Sequence, residues 1–330
     1  MKNAEEMRKC TYVGPLSNGL TGYIAQKRAL GFEVSESAHA FVGFDHLTIE
    51  QGCSENKLDK NIVETWTRKR PNEKPITQIR RIHLMRRLAN YMHYCGFDAY
   101  IPPKPSTRHN CANYIPYIFS DNELTKIFKY LDHLTPRTEL PKRHLVIPAV
   151  FRTMYACGLR LNETVALKTE DVDLKSAIIT IRRSKFNKDR LVPISTELAN
   201  ILRVYKVAAC ILETDIFFFP SDKGGGYGHS AIYNLFRKAL WGAAISHGGK
   251  GKGPRVQDFR HSFAVHCLKK WISAGKDISA ALPYLSAYLG HTSFAGTQYY
   301  LRLTADVFPS ITSLMDKSYG NIYPDGGDEA

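Results

Sequence analysis

Residues 177–194 read AIITIRRSKFNKDRLVPI, the one stretch of the chain patterned as strand, turn, strand. Ile178, Ile179, Thr180 and Ile181 are β-branched, a type that suits a pleated, half-buried surface. The polar run SKFNKD separates them from RLVPI, so a hairpin is expected here. Outward from the hairpin the periodicity is helical. RHLVIPAVFRTMYACGLRLNE (143–163) carries Val146, Val150 and Met154 at helical spacing and closes on Gly158. DFRHSFAVHCLKKWI (258–272) runs Phe259, Phe263, Cys267 and Trp271 down one side. PYLSAYLG (283–290) reads as a short helix with Pro283 near its start and Gly290 at its end. GTQYYLRL (296–303) reads as one more helix, bearing Tyr299 and Tyr300. The expected fold class is mainly α with a small antiparallel β-sheet.

Residues 16–95 read as mainly helical. ITQIRRIHLMRRLANYMHYCG (76–96) places Ile79, Ile82, Met85, Leu88, Met92 and Cys95 along one stripe and ends on Gly96, a C-terminal cap. Arg80, Arg81, Arg86 and Arg87 lie beside that stripe, either as a solvated face or as a face that follows phosphates. FDAYIPPKPSTRHNCANYIP (97–116) has four prolines and no apolar period, which suits a linker. Two domains are therefore expected, residues 1–112 with the linker and residues 113–330.

The formal charge is +14, from 45 Lys and Arg against 31 Asp and Glu. Residues 1–112 hold 17 basic and 11 acidic groups, leaving 28 and 20 for the rest, so both parts are basic. Such a balance points to a polyanion, nucleic acid first. Seven cysteines without a CxxC pair read as reduced thiols rather than a disulfide framework. His261 and His266 are five apart, off the i,i+4 spacing that would face one metal from one helix. No apolar run approaches the roughly 18 residues of a membrane span, and MKNAEEMRKC lacks the apolar core of a signal peptide. A soluble cytoplasmic protein with no membrane partner is expected.

Several polar residues fall at the ends of these elements. Arg160 follows a helix cap, Lys185 lies in the hairpin turn, and Arg260 sits in a helix first turn, where unpaired N–H groups favour an anion. His291 directly follows Gly290. Singly these are surface cations and a cap partner. Together with a tyrosine they suit a phosphodiester transition state: the phenol oxygen attacks phosphorus, arginines hold the added negative charge, and lysine protonates the departing oxygen.

In that order, YACGLRLNETVALKTEDVDL, SKFNKDRLVPI, FRHSFA and LGHTSFAGTQYY resemble the boxes of the tyrosine recombinases, the phage integrase, Xer and Cre group, over most of residues 113–305. The resemblance implies a helical core-binding domain and an α+β catalytic domain that close as a C-shaped clamp on DNA. It makes Arg160 and Arg260 the two catalytic arginines and Glu163 a supporting carboxylate. His291 matches a histidine-or-tryptophan position, and Tyr300, nine residues on, the nucleophile. Tyr299 would point about 100° away on a helix and is expected to pack. The family's turn usually reads glycine-lysine-glycine; here SKFNK aligns Lys185 with the general acid and Lys188 with a phosphate contact. Arg80, Arg81, Arg86, Arg87, Lys104, Arg108 and Arg190 are the remaining expected DNA contacts.

One position departs from the pattern. Three residues before the second arginine the family most often has histidine, and this chain has Gln257. Glutamine can donate and accept hydrogen bonds but takes up no proton near pH 7. Arg255 and His261 stand nearby, His261 as a supporting residue. The resemblance further implies a 3′-phosphotyrosine intermediate, strand exchange through a four-way junction and no cofactor or metal. It implies DNA with paired inverted sites, a homo-tetramer alone or with sibling recombinases, a mobile-element or chromosomal role at the nucleoid, and docking of 307–317 through Ile311, Leu314 and Met315, on a neighbouring subunit or folded back in cis. A non-cleaving DNA-binding relative and a nicking-closing topoisomerase are the alternatives.

Overall fold

A computed structural model describes residues 10–105, 115–182, 188–222, 224–249, 252–291, 295–301 and 303. The chain forms two compact units that divide between Tyr114 and Ile115.

In the first unit, α1 (Ser17–Ala29), α2 (Ser35–Glu50), α3 (Lys60–Thr67) and α4 (Pro75–Tyr94) pack around Leu16, Leu20, Phe41, Phe44, Val63, Met85, Leu88 and Met92. A two-residue parallel pair, β1 (Lys57–Leu58) with β2 (Asp98–Ala99), ties the loop before α3 to the segment after α4. Pro75 opens α4 at its first position, where a missing N–H costs nothing. The buried stripe of α4 is Leu84, Met85, Leu88, Ala89 and Met92. Cys95, expected on that stripe, is instead the exposed residue just past the helix, and Ile79 and Ile82 are half-buried. The real face is therefore narrower and centred on Met85. Gly96 takes φ +85° and donates to the His93 carbonyl, a left-handed turn that suits glycine.

The second unit opens with α5 (Asp121–Asp132), whose Ser120 and Glu123 form a reciprocal capping box. It continues through α6 (Arg143–Ala156), α7 (Leu161–Val165) and a 3₁₀ turn (Thr169–Asp171). The sheet follows: β3 (Val172–Asp173), β4 (Ile178–Ile181) and β5 (Arg190–Pro193), antiparallel in the order β3-β4-β5. Ile179 faces Val192 and Ile181 faces Arg190 across the hairpin, and Ile179, Ile181 and Val192 bury one side. β3 is the strand that two residues are too few to announce in sequence.

Helices α8 (Thr196–Ala208), α9 (His229–Gly242), α10 (Asp258–Ser273), α11 (Ile278–Leu289) and α12 (Ala295–Leu301) complete the unit. Helix α10 is buried on two sides. Phe259 joins Phe119, Phe151 and Phe236 in the main core, while Ala264, Val265 and Leu268 join Leu282, Leu285, Leu289 and Tyr300 in a second cluster. The stripe expected from Phe263, Cys267 and Trp271 is only part-buried at its edge. Helix α11 begins five residues before Pro283, because the Asp277 carboxylate accepts from the Ser279 and Ala280 N–H groups and starts the helix there. It ends at Gly290 (φ +68°), with Gly290 N–H on the Ala287 carbonyl and His291 N–H on the Ser286 carbonyl.

Candidate active site

The ends of α7, α10, α11 and α12 converge on one cluster. Arg160 caps the N-terminus of α7, and the Glu163 carboxylate one turn on accepts from its backbone N–H at 2.9 Å and its Nη1 at 2.7 Å. Both Glu163 oxygens also accept from Arg190, Oε1 at 3.1 Å and Oε2 at 2.9 Å. Arg190 Nε donates to the Tyr288 carbonyl at 2.9 Å, and Arg160 Nη2 donates to the Gly290 carbonyl at 3.3 Å. One carboxylate thus holds two guanidiniums and ties β5 and α7 to the end of α11. Burial alone would raise the Glu163 carboxyl, but the hydrogen bonds from Arg190 and from the Arg160 N–H outweigh it and bring the group down to about 2.

Arg260 is almost wholly buried, 2% exposed. It donates from Nη1 to the Gly158 carbonyl at 2.8 Å and from Nη2 to the Leu289 carbonyl at 2.6 Å. Gly158 is in the left-handed region (φ +57°), and a Cβ there would meet Phe263 at 2.5 Å and Leu289 at 2.8 Å. Burial and then the neighbouring Arg160 charge lower Arg260 to about 10, so it remains a cation at neutral pH.

Tyr300 lies on the inner face of α12, 2% exposed, with its ring 26° from parallel to the His291 ring at 6.0 Å. Its hydroxyl is 3.0 Å from His261 Nδ1. Burial raises its pKa, and the Arg260 and Arg160 charges oppose that rise. His261 and His291 are each brought down to about 4, by burial first and by the Arg260 charge second. Both imidazoles are therefore neutral at pH 7. His291 Nδ1 is 2.7 Å from Thr297 Oγ1, a contact between the α11 cap and α12 that nothing in the sequence signals. Tyr299 is half-buried and packs edge-on against Tyr300.

The structure brings together Arg160, Glu163, Arg260, His261, His291 and Tyr300, drawn from segments spread over 141 positions of sequence. Gln257 is half-buried at the N-terminal boundary of α10, and its backbone carbonyl accepts from Arg260 and His261. Lys185, Arg108 and residues 307–317 lie outside the described residues. Lys188 is exposed. Arg190, at the start of β5, has its guanidinium on Glu163 and the Tyr288 carbonyl.

In the first unit, Arg80, His83, Arg86, Arg87 and Asn90 line a shallow depression of about 490 Å³, and Arg80, Arg87 and Lys104 are exposed. Arg81 has internal partners. It pairs with Glu73 at 2.7 Å and donates to the Arg68 carbonyl at 2.9 Å, so it braces the start of α4. Arg86 donates to the Pro102 carbonyl, which leaves it only half-buried at the rim. Among the described residues no three His, Cys, Asp or Glu side chains gather as a metal ion would require. No described helix is long and apolar enough to cross a membrane.

Residues 118–306 match the phage integrase family, more than half of the chain. Integrase/recombinase y4rB of Sinorhizobium fredii is 30% identical over 289 residues, 84% of this chain and 90% of its own. The chain belongs to the phage integrase family. Membership in this family makes it a DNA strand-cleaving and rejoining enzyme. Tyrosine recombinase XerC of Chromobacterium violaceum is 35% identical over 175 residues, 52% of each chain. Among solved structures, the XerH site-specific recombinase bound to palindromic difH substrate has a TM-score of 0.59 at 17% identity. The match covers 84% of this chain and 78% of that one. The Tn1549 transposon integrase in complex with circular intermediate DNA has a TM-score of 0.56 at 14% identity, over 86% and 94%. These two likenesses bear on the fold alone.

Proposed function

We propose that this integrase-family enzyme is a site-specific recombinase that cuts DNA through a 3′-phosphotyrosine link on Tyr300. The observation that carries this reading is the position of the Tyr300 hydroxyl, inside a buried cluster whose nearest full charges are Arg260 and Arg160. A scissile phosphate bridging those guanidiniums would lie beside the phenol oxygen. Arg260, held by two carbonyls, and Arg160, held by Glu163, are oriented before substrate arrives, so they stabilise the five-coordinate phosphorus without reorganising. Arg160 is the more exposed of the two, with a quarter of its side chain open to solvent, and would meet the phosphate first.

His291 is a neutral imidazole beside the tyrosine ring and supplies a hydrogen bond rather than a charge to a nonbridging oxygen. Lys185, from the hairpin turn, would protonate the departing 5′-oxygen. The phosphodiester energy is kept in the tyrosyl ester, and the free 5′-hydroxyl of a partner strand reverses the step. Two rounds on paired inverted sites exchange strands through a four-way junction within a homo-tetramer. The first unit, with Arg80 and Arg87 outward, tracks the backbone of the same duplex.

Covalent trapping tests the proposal. Wild type, Tyr300→Phe and Tyr299→Phe are incubated with labelled fragments of DNA flanking the gene, nicked to prevent religation. An SDS-resistant adduct lost only in Tyr300→Phe is expected; tight binding by wild type with no adduct would make the protein a non-cleaving binder.

A further inference from the structure

Gln257 stands where the family most often has histidine, and it takes up no proton near pH 7. A tyrosine with a pKa of about 10 is only about a thousandth ionised at neutral pH, and burial raises Tyr300 further. Some group must therefore take the phenol proton as the bond to phosphorus forms. Among the described residues, His261 Nδ1 is the one histidine nitrogen in hydrogen-bond reach of the Tyr300 oxygen, at 3.0 Å. His291 lies over the ring instead, and its Nδ1 is engaged by Thr297. The side chain of Gln257 makes no cap hydrogen bond to the first turn of α10.

We propose that His261 receives the Tyr300 proton, performing from the position just after the second arginine the task that Gln257 cannot. The inference rests on Tyr300 being the nucleophile. In the step, the Tyr300 O–H bond breaks and the Nδ1–H bond forms, while the freed oxygen pair makes the bond to phosphorus. The bond from phosphorus to the 5′-oxygen breaks, and that oxygen takes its proton from Lys185. In rejoining, the His261 imidazolium returns the proton to the departing phenol oxygen.

The groups around His261 fit this role. Arg260 is its neighbour on α10, Tyr300 faces it from α12, and His291 lies close by at the α11 cap, where the Arg160 and Arg190 charges are also felt. Burial and the Arg260 charge keep the imidazole neutral, hence able to accept, in the DNA-free protein. A bound phosphate diester adds negative charge against those arginines, which relieves their repulsion of an imidazolium. The phenol becomes strongly acidic only as its oxygen bonds to phosphorus, so transfer is concerted with attack.

The experiment is single-turnover cleavage of nicked duplex between pH 6 and 9 by wild type, His261→Gln, His261→Ala and Tyr300→Phe. Wild type should be nearly flat from pH 7 to 9. Both His261 variants should be on the order of 10²-fold slower at pH 7, with the gap closing about tenfold per pH unit as direct phenol ionisation takes over. Glutamine keeps an acceptor but takes no proton, so a merely structural role would let His261→Gln recover the rate. Variants within threefold of wild type, or a deficit equal at pH 7 and 9, would overturn the inference. So would a wild-type rate climbing tenfold per unit across that range, which needs no variant to fold. An adduct in Tyr300→Phe would instead sink the proposed function itself.

Discussion

Glu163→Gln removes the one carboxylate that holds both Arg160 and Arg190. The side chain is 6% exposed and accepts from three guanidinium nitrogens and one backbone N–H. Its pKa falls from 4.5 to about 2 on folding. At 1.36 kcal/mol per unit, that depression contributes about 3 kcal/mol at neutral pH. The direction follows from linkage. A depressed carboxylate stabilises fully above its unfolded value near 4.5, and the contribution is lost as pH falls from there towards 2. Breaking a buried pair from one side costs a similar amount, about 3–5 kcal/mol. Urea titrations read by hydrogen exchange in peptides of the second unit should place Glu163→Gln about 3 kcal/mol below wild type at pH 7. By pH 2.5 the gap should shrink markedly, because the unfolded-state carboxyl is then protonated and most of the linked stabilisation is gone. Cleavage should fall as well, since Arg160 loses its tether. A gap under 1 kcal/mol at pH 7, or one of unchanged size at pH 2.5, would refute this account of the ion cluster.

Gly290→Ala should destabilise the second unit by about 1–3 kcal/mol and reduce adduct yield, as read by thermal melting and gel assay. The residue has φ +68°, and a Cβ would meet Arg190 Nη1 at 2.9 Å. Arg87→Ala should weaken DNA binding across all sequences and lower the salt slope by about one. Arg81→Ala, whose guanidinium is committed to Glu73 and the Arg68 carbonyl, should lower the melting temperature of the first unit and leave the salt slope unchanged.

Much of the site was legible because its residues sit at punctuation. Gly158 and Gly290 end helices in a way only glycine does easily, and Arg160 and His291 follow them within two positions. The hairpin was legible from its β-branched run and the polar turn after it, but β3, two residues long, offers no period to read. The ion pairs of Arg81 and Arg190 have no local signature, because an arginine looks the same in sequence whether its partner is phosphate or a distant carboxylate. Glu73 lies eight residues from Arg81, and Glu163 lies 27 from Arg190. The start of α11 was set by Asp277 rather than by Pro283, since a side-chain cap outranks a tolerated proline. The closeness of His261 to Tyr300 depends on how α12 docks against α10, a tertiary fact with no local signature.

The most direct measurement is mass spectrometry of the trapped adduct. After nuclease trimming and tryptic digestion, the peptide spanning residues 277–302 should carry the nucleotide 3′-phosphate, and fragmentation should place it on Tyr300. Finding it on Tyr299, Tyr284, Tyr288 or outside this peptide would contradict the account.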